Sequence, residues 1–218
     1  MALIGDGDDP RIDQLIRQLI DDILFAVYGV PEGGEAVLLF VNACVREQSR
    51  TKRLADCLLA KLGDAAEEVR LSEISFPVYD EEFMQRRNRL IESGKYDDSS
   101  FDLARQFAAA DRIVIAAPYW DLSFPAALKQ YFEQICVNGL TFMYTPEGFP
   151  KGLCRTRKLY YVMTAGGQFV PEEYGFGYVR ALAQNFYGID EVELIKAVGL
   201  DIDGADPESI LQERISSL

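Results

Sequence analysis

Hydroxyl and basic side chains are concentrated in one segment of an otherwise acidic chain, from Asn42 to Arg53. The segment leads into a predicted helix, so Ser49 and Thr51 would lie where the first helical N–H groups lack partners. Four cations share it: Arg46, Arg50, Lys52 and Arg53. Together these groups suit a phosphate, although Ser49 would equally serve as a plain helix N-cap. The sequence contains neither a GxGxxG fingerprint nor a P-loop motif.

A second segment combines aromatic residues with prolines, directly after the most apolar predicted strand. It reads Pro118-Tyr119-Trp120-Asp121-Leu122-Ser123-Phe124-Pro125 and contains the single tryptophan of the chain. The two prolines stiffen the backbone, and exposed aromatic rings are costly unless something flat covers them. A backbone that follows the edge of an isoalloxazine ring would account for both features. The alternative is a loop whose aromatic side chains turn back into the core.

A third segment, Thr164-Ala165-Gly166-Gly167, contains paired glycines. Glycines let backbone N–H groups approach a ligand closely. Amides aimed at the N1–C2=O2 side of a flavin would stabilise the negative charge that reduction places there, as an oxyanion hole does. Two glycines satisfy a tight turn equally well. The segment therefore indicates a site only in combination with the other two.

The chain contains no histidine among its 218 residues. This excludes Ser-His and Cys-His nucleophilic pairs and removes the commonest transition-metal ligand, so we predict no metal site. Proton chemistry must then use carboxylates, tyrosine, lysine, water or a cofactor. The formal charge of −13 argues against nucleic acid and anionic membrane surfaces as partners.

The sequence also predicts a cytoplasmic location. The N-terminus is acidic where a signal peptide is basic, and no apolar run approaches the about 20 residues of a membrane-spanning helix. The cysteines are too scattered for a CxxC or zinc pattern, and we expect them to be reduced, mostly buried thiols. They are Cys44, Cys57, Cys136 and Cys154.

Short apolar runs alternate with helical patterns along most of the chain. The predicted strands cover residues 36–41, 69–74, 112–117, 158–163 and 191–198. The predicted helices cover residues 50–62, 81–92, a stretch ending near 110, 126–137, 177–187 and 205–215. Such alternation favours an α/β fold with a parallel sheet and right-handed crossovers, whose ligands bind at the carboxyl ends of the strands. The three segments above each follow a strand, so we expect them at one edge of the sheet.

Residues 10–28 form an additional amphipathic helical pattern ahead of this alternation. Asp9 is a plausible N-cap, Pro10 suits the first helical position, and Gly29 is placed to end the helix. We expect the helix to pack on the edge of the domain, with a dimer arm or a partner-binding helix as alternatives.

Over residues 113–167 the sequence resembles the FMN-dependent NADH-azoreductase and NAD(P)H:quinone oxidoreductase family of flavodoxin-like proteins. The run APYWDLSFPAALKQYF, residues 117–132, stands where the family has A-P-M-Y-N-F and an amphipathic helix. The stretch GLTFMYT, residues 139–145, matches the family's G-[VL]-T-F-x-Y-T and is the most specific of the motifs. Residues 164–167 occupy the family's [ST]-x-G-G position.

The resemblance implies a flavodoxin-like three-layer sandwich over residues 36–218, with a five-stranded parallel sheet in the order 2-1-3-4-5. Residues 1–35 would be an N-terminal helical extension. In the site it implies, Tyr144 lies beside the substrate space over the flavin and can supply protons. The FMN-binding set comprises Asn42, Ser49, Arg50 and Thr51 with the phosphate held by the last three, Pro118, Tyr119, Trp120, Asp121 and Leu122 along the ring and ribityl chain, and Thr164, Ala165, Gly166 and Gly167 at the pyrimidine end.

The implied function is a ping-pong oxidoreductase in which NADH or NADPH reduces FMN and a quinone or azo compound then takes two electrons. Family members are usually homodimers with the site at the subunit boundary, so the same is expected here. The alternatives are a flavodoxin-type electron carrier and a non-catalytic FMN-binding protein that uses the N-terminal helix for a partner. Trp120-Asp121, where the family more often has Tyr-Asn, and residues 76–100 depart from the family pattern.

Overall fold

A computed structural model describes residues 36–63 and 65–218. The helix predicted over residues 10–28, and with it the extension of residues 1–35, lies outside the described residues. The division of the chain at residue 35 therefore stays a prediction.

The described residues form the strands β1 (Leu38–Asn42), β2 (Ala66–Arg70), β3 (Arg112–Ala116), β4 (Phe142–Tyr144), β5 (Pro150–Gly152), β6 (Lys158–Thr164) and β7 (Glu191–Ala197). Five of them build a parallel main sheet in the order β2-β1-β3-β6-β7. Counted along the chain, those five strands have the order 2-1-3-4-5, so the predicted topology is confirmed. A separate antiparallel pair is formed by β4 and β5.

Helices connect the strands of the main sheet. They are α1 (Arg50–Leu62), α2 (Glu81–Glu92), α3 (Asp102–Ala109), α4 (Ala126–Ile135), α5 (Phe176–Leu182) and α6 (Pro207–Ser216). The bounds predicted for α1 and α2 are confirmed. Helix α1 begins after its N-cap Ser49 and ends at Gly63, whose φ of 80° suits a residue without a side chain. Asp206 caps α6, which has Pro207 at its first position.

The wholly apolar β1 is explained by cover on both faces of the sheet. Leu38 and Phe40 point to one face, where they belong to a cluster with residues of α1 and α6. Leu39 and Val41 point to the other face and are also fully buried. There, α3 lies against α4, with the rings of Phe107 and Tyr131 6.3 Å apart.

The second strand was predicted wrongly. Residues 69–74 were expected to form it, but β2 covers Ala66–Arg70 and a 3₁₀ turn follows at Leu71–Glu73. The strand lies at the edge of the sheet, and of its residues only Val69 is buried, so its sequence carries no apolar run. The hairpin of β4 and β5 was not predicted either, because strands of three residues leave no readable pattern.

The helix predicted over residues 177–187 also differs. It is α-helical only to Leu182 and continues as a π-helical turn, Ala183–Tyr187, which ends at Gly188 with φ 70°. Helix α4 ends at Ile135, two residues before the predicted end. The remaining strand and helix bounds differ from the prediction by one or two residues.

A buried arginine joins α2 to the end of α4, the helix that follows the proline-rich segment. Arg87 Nη2 donates to the backbone oxygens of Glu133, Gln134 and Cys136 at 3.2, 3.1 and 3.1 Å. These carbonyls lie at the C-terminal end of α4, where helical partners run out and a positive charge is favourable. The guanidinium also lies 5.7 Å from the ring centroid of Phe101.

We expect Arg87→Met to lower the free energy of unfolding by about 2 to 3 kcal/mol, since buried carbonyls would lose a charged donor. Urea unfolding followed by circular dichroism measures this. Arg89→Met, on the exposed side of the same helix, is the matched control and should change stability by less than about 0.5 kcal/mol. Equal effects of the two substitutions would contradict the assigned role of Arg87.

Candidate functional site

The first predicted segment leaves β1 in a conformation set by Asn42. Its Oδ1 accepts from the Cys44 N–H at 2.9 Å, and its Nδ2 donates to Glu68 Oε1 at 2.8 Å. Although desolvation acts the other way, the hydrogen bonds from Asn42 and Arg70 hold the pKa of Glu68 below its usual range. Through these two hydrogen bonds the side-chain amide of Asn42 holds the loop after β1 in place.

Ser49 and Thr51 occupy different roles at the start of α1. The Ser49 hydroxyl accepts from the Lys52 N–H at 3.3 Å, as an N-cap does. The Thr51 hydroxyl lies 2.7 Å from the Thr164 hydroxyl, and both side chains are buried. This contact ties the first segment to the third across the sheet edge.

Three of the four cations in the first segment form ion pairs with carboxylates. Arg50 Nη1 lies 2.7 Å from Asp201 Oδ1, Lys52 Nζ 2.8 Å from Asp56, and Arg53 Nη1 2.8 Å from Glu208. Arg46 is exposed and has no ion-pair partner within residues 36–63 and 65–218.

The second segment begins as a continuation of the sheet. Ala117 N–H donates to the Val162 oxygen and Tyr119 N–H to the Thr164 oxygen, both at 3.0 Å. Pro118 and Tyr119 are therefore fixed by the neighbouring strand although they lie beyond the end of β3.

A tight turn follows, closed by backbone hydrogen bonds in both directions between Trp120 and Ser123 at 3.1 and 2.7 Å. Its two central residues have positive φ, 49° at Asp121 and 66° at Leu122. Leucine rarely adopts this left-handed conformation, which costs about 1 to 2 kcal/mol. The Ser123 hydroxyl donates to the Tyr174 oxygen at 3.0 Å and holds the turn from the far side.

The aromatic side chains of this segment separate. Trp120 remains 38% exposed, whereas Phe124 turns inward, 5.9 Å from Phe132 and 5.7 Å from Tyr178 between ring centroids. Tyr119 buries its hydroxyl without a hydrogen-bond partner in the described part of the chain. Loss of hydration raises the pKa of that hydroxyl, and the nearby Glu173 carboxylate raises it further. The segment thus presents one exposed ring and one unpaired phenol.

The third segment is braced by the loop that follows β7. Leu200 N–H donates to the Ala165 oxygen at 3.2 Å, and Asp201 N–H to the Gly166 oxygen at 2.9 Å. A Cβ on Gly166 would meet the Asp201 carboxylate, which would have to move, while Gly167 faces open space. Among the described backbone contacts, the N–H groups of Gly166 and Gly167 donate to no carbonyl, so both remain available to a ligand.

These loops enclose a cavity of about 280 Å³ at the carboxyl ends of β1, β3, β6 and β7. Nine of the predicted residues line it: Ser49, Arg50, Thr51, Pro118, Tyr119, Trp120, Thr164, Ala165 and Gly166. Five others also line it: Val45, Arg46, Gln48, Leu200 and Asp201. Of these, only Arg46 was noted in the sequence, as one of the four cations. The cavity is therefore built by all three predicted segments together with the loop after β7.

Five predicted site residues do not line the cavity: Asn42, Asp121, Leu122, Gly167 and Tyr144. Asp121 and Gly167 directly follow lining residues in the chain, whereas Asn42 and Leu122 do not. Tyr144 instead lies on β4, is 52% exposed, and has its ring 5.4 Å from that of Phe142. Its predicted place beside a substrate stays a prediction.

The sequence signal for Leu200 and Asp201 was available. Both residues closely follow the last strand of the sheet, at the same edge as the other three segments. The rule that ligands bind at the carboxyl ends of parallel strands applies to this strand as well.

The cysteine in the first segment is not an activated thiol. Burial raises the pKa of the Cys44 thiol to about 11, and its Sγ lies 3.9 Å from the Ala116 oxygen. Within the described ranges, no three side chains of the metal-ligating types come together, and no helix has the length and apolarity to cross a membrane.

Comparison with known proteins gives a consistent group of similarities. The sequence profile of a family described as having a flavodoxin-like fold matches residues 37–218. An FMN-dependent NADH:quinone oxidoreductase of Coprothermobacter proteolyticus is 34% identical over 185 residues, which are 79% of this chain and 91% of the relative. An azoreductase structure from Bacillus anthracis superposes with a TM-score of 0.73 at 25% identity, covering 84% of this chain and 96% of that one.

Another similarity is higher in identity but shorter. An FMN-dependent NADH:quinone oxidoreductase of Lachnoclostridium phytofermentans is 45% identical over 112 residues, half of this chain. The matched part spans 56% of that relative's length.

The buried pair of hydroxyls gives a prediction on stability. Thr51→Val or Thr164→Val alone should lower the free energy of unfolding by about 1 to 2 kcal/mol, because each leaves the other hydroxyl without its partner. The double variant should be nearly as stable as the native chain, since both polar groups are then removed. Urea unfolding of all four proteins measures the coupling, and additive losses would contradict the contact.

The paired glycines provide an internal comparison. Gly166→Ala should lower the free energy of unfolding by about 1 kcal/mol, because the new methyl group displaces the Asp201 carboxylate and breaks its pair with Arg50. Gly167→Ala, whose methyl group meets open space, should cost less. Thermal unfolding of both variants at equal ionic strength checks this, and an equal or larger loss at Gly167 would argue against the packing.

Proposed function

The chain belongs to the family with a flavodoxin-like fold, and from that premise we propose that it binds FMN and is an NAD(P)H-dependent oxidoreductase. Its substrates in this proposal are quinones or azo compounds. The names of the relatives from Coprothermobacter and Lachnoclostridium and of the Bacillus azoreductase support the reaction class.

The observation that carries the proposal is the meeting of three loops where the strand order of the sheet reverses. Strands β1 and β3 are neighbours in the sheet, and the chain continues from them toward opposite edges. A crevice forms outside the carboxyl ends at such a point, and doubly wound sheets bind nucleotides there. The cavity lies at this position and is lined by loops from both strands.

The residues of the cavity fit the parts of FMN. The start of α1 offers the N–H groups of residues 49–51 to a phosphate, with the Ser49 hydroxyl beside them. Pro118 to Leu122 would follow the ring and ribityl chain, with the exposed indole of Trp120 as a flat surface. The N–H groups of Gly166 and Gly167 donate to no carbonyl of the described residues, and they would stabilise negative charge at the pyrimidine end. Asn42 shapes the phosphate loop through its contact with Cys44.

The chemistry would come from the cofactor, which when bound takes two electrons from NADH or NADPH and passes them to the acceptor in a ping-pong sequence. The chain itself holds the site rigid: Tyr119 is fixed by its N–H bond to Thr164, and Thr51 by its hydroxyl contact with the same residue. Loops that are held in this way keep their other N–H groups in position, so no rearrangement is needed when charge develops.

The proposal includes a homodimer with the site at the subunit boundary. Several large apolar side chains are left uncovered on the hairpin and on the loop before α5: Met143, Tyr144, Phe149, Phe169 and Tyr174, which are 43 to 80% exposed. Burial against a second copy would remove this apolar surface from water. Tyr144 would then lie at the boundary and reach the substrate space.

A cytoplasmic location is also part of the proposal. All four cysteines are free thiols, and Cys44 and Cys154 are buried. Unpaired cysteines of this kind are typical of reducing compartments.

The absorption spectrum of the purified protein, recorded before and after anaerobic addition of NADH or NADPH, tests the proposal. We expect flavin bands that bleach on addition and return when benzoquinone or an azo dye is added. Steady turnover of the acceptor favours the enzyme over a flavodoxin-type carrier or a non-catalytic FMN protein. A chain that takes up no FMN, or one whose bound flavin neither nicotinamide reduces, would contradict the proposal.

A further inference from the structure

Two arginines line the cavity, and they differ in whether a carboxylate of the described residues compensates their charge. Arg50 and Asp201 both line it, and their side chains form an ion pair at 2.7 Å. That pair adds no net charge to the cavity. Arg46 also lines the cavity, is exposed, and lacks an ion-pair partner among the described residues.

The hydroxyl groups at the start of α1 are already hydrogen-bonded. Thr51 is 1% exposed, and its hydroxyl is in contact with that of Thr164. The Ser49 oxygen accepts from the Lys52 N–H, and the Ser49 hydroxyl is also hydrogen-bonded to the Cys44 thiol. Among the described residues, the donors that remain for an anion at the start of α1 are therefore the first backbone N–H groups and the Arg46 guanidinium.

We infer that Arg46 supplies the positive charge that holds the phosphate of the cofactor, while Arg50 serves with Asp201 as a wall of the cavity. The inference rests on the proposed binding of FMN. A phosphate dianion entering a chain of formal charge −13 is opposed by the overall field. Neutral N–H groups offset part of this, and a guanidinium adds charge-assisted hydrogen bonds with a geometry that matches phosphate oxygens.

The alternative is that Arg50 leaves Asp201 and turns to the phosphate. That exchange would leave the Asp201 carboxylate uncompensated in the same cavity as the dianion. The Asp201 side chain is 67% exposed, so water would hydrate the freed carboxylate in part. The exchange would still break the ion pair at 2.7 Å and leave two anions that repel each other, whereas Arg46 has no ion-pair partner to lose among the described residues.

The test compares FMN with riboflavin, which differs only by lacking the phosphate. Dissociation constants of both are measured with the cofactor-free protein by quenching of flavin fluorescence, at one fixed ionic strength. Arg46→Gln should raise the Kd of FMN by about five- to tenfold and that of riboflavin by less than about twofold. The salt dependence of FMN binding should also become weaker in this variant, because an exposed charge contact is screened.

Two further variants make the assignment specific. Arg53→Gln removes a cation of the same segment that is paired with Glu208 and does not line the cavity, and it should leave the ratio of the two Kd values unchanged. Arg50→Gln combined with Asp201→Asn keeps the net charge, so it should weaken both flavins together through the altered wall. Circular dichroism melts confirm that each variant is folded.

The outcomes separate the inference from the proposed function. If the native chain binds neither flavin, the proposed function itself fails, and the inference fails with it. If the native chain binds FMN but Arg46→Gln leaves the ratio of FMN to riboflavin affinity unchanged, only the inference is overturned. The same holds if the Arg50 and Asp201 double variant loses FMN selectively while Arg46→Gln does not.

Discussion

Backbone pairing around β3 continues past the ends of the strands, and the site depends on it. Ala43 N–H donates to the Ala116 oxygen at 2.8 Å, and Tyr119 N–H donates to the Thr164 oxygen at 3.0 Å. These bonds extend the parallel pairing into the loops after β1 and β3. The Ala165 N–H, which donates to the Ala197 oxygen at 3.0 Å, does the same after β6, so three loops start from fixed positions. Loops on a rigid scaffold can hold donors in place before a ligand arrives.

Several polar side chains around the cavity are paired with one another. Arg50 pairs with Asp201 and the two Thr hydroxyls with each other, so the wall is satisfied by its own side chains. Among the described residues, the groups left without such partners include the N–H groups of Gly166 and Gly167, the first N–H groups of α1 and the guanidinium of Arg46. A site whose spare donors lie at both ends suits a ligand that is anionic at both ends when reduced. Reduced FMN, with its phosphate and its N1–C2=O2 region, is such a ligand.

The elements that the sequence predicted well are those with a strong local signal. The buried strand β1 and the capped helix α1 have continuous apolar or helical patterns, and the order of the sheet followed from the resemblance. The edge strand β2 was misplaced because Ala66, Glu67 and Glu68 are exposed and carry no such pattern. The hairpin of β4 and β5 depends on pairing between two three-residue strands, which local sequence does not encode.

Only part of the cavity was predicted, again because some of its residues carry a local sequence signal and others do not. Residues with distinctive chemistry, such as Ser49 and the paired glycines, were recognised from their types and spacing. The left-handed turn at Asp121 and Leu122 was not, because leucine rarely adopts positive φ, although aspartate tolerates it. The contacts of Asp201 with Arg50 and Gly166 join residues more than 30 positions apart, so they exist only once β6 and β7 have paired.

A crystal structure of the chain grown with saturating FMN tests the central claim most directly. The account predicts one flavin in the cavity, with its phosphate at the start of α1 and its ring along Pro118 to Trp120. Its pyrimidine end would lie against the N–H groups of Gly166 and Gly167. FMN bound elsewhere on the chain, or a cavity left empty under these conditions, would contradict the account.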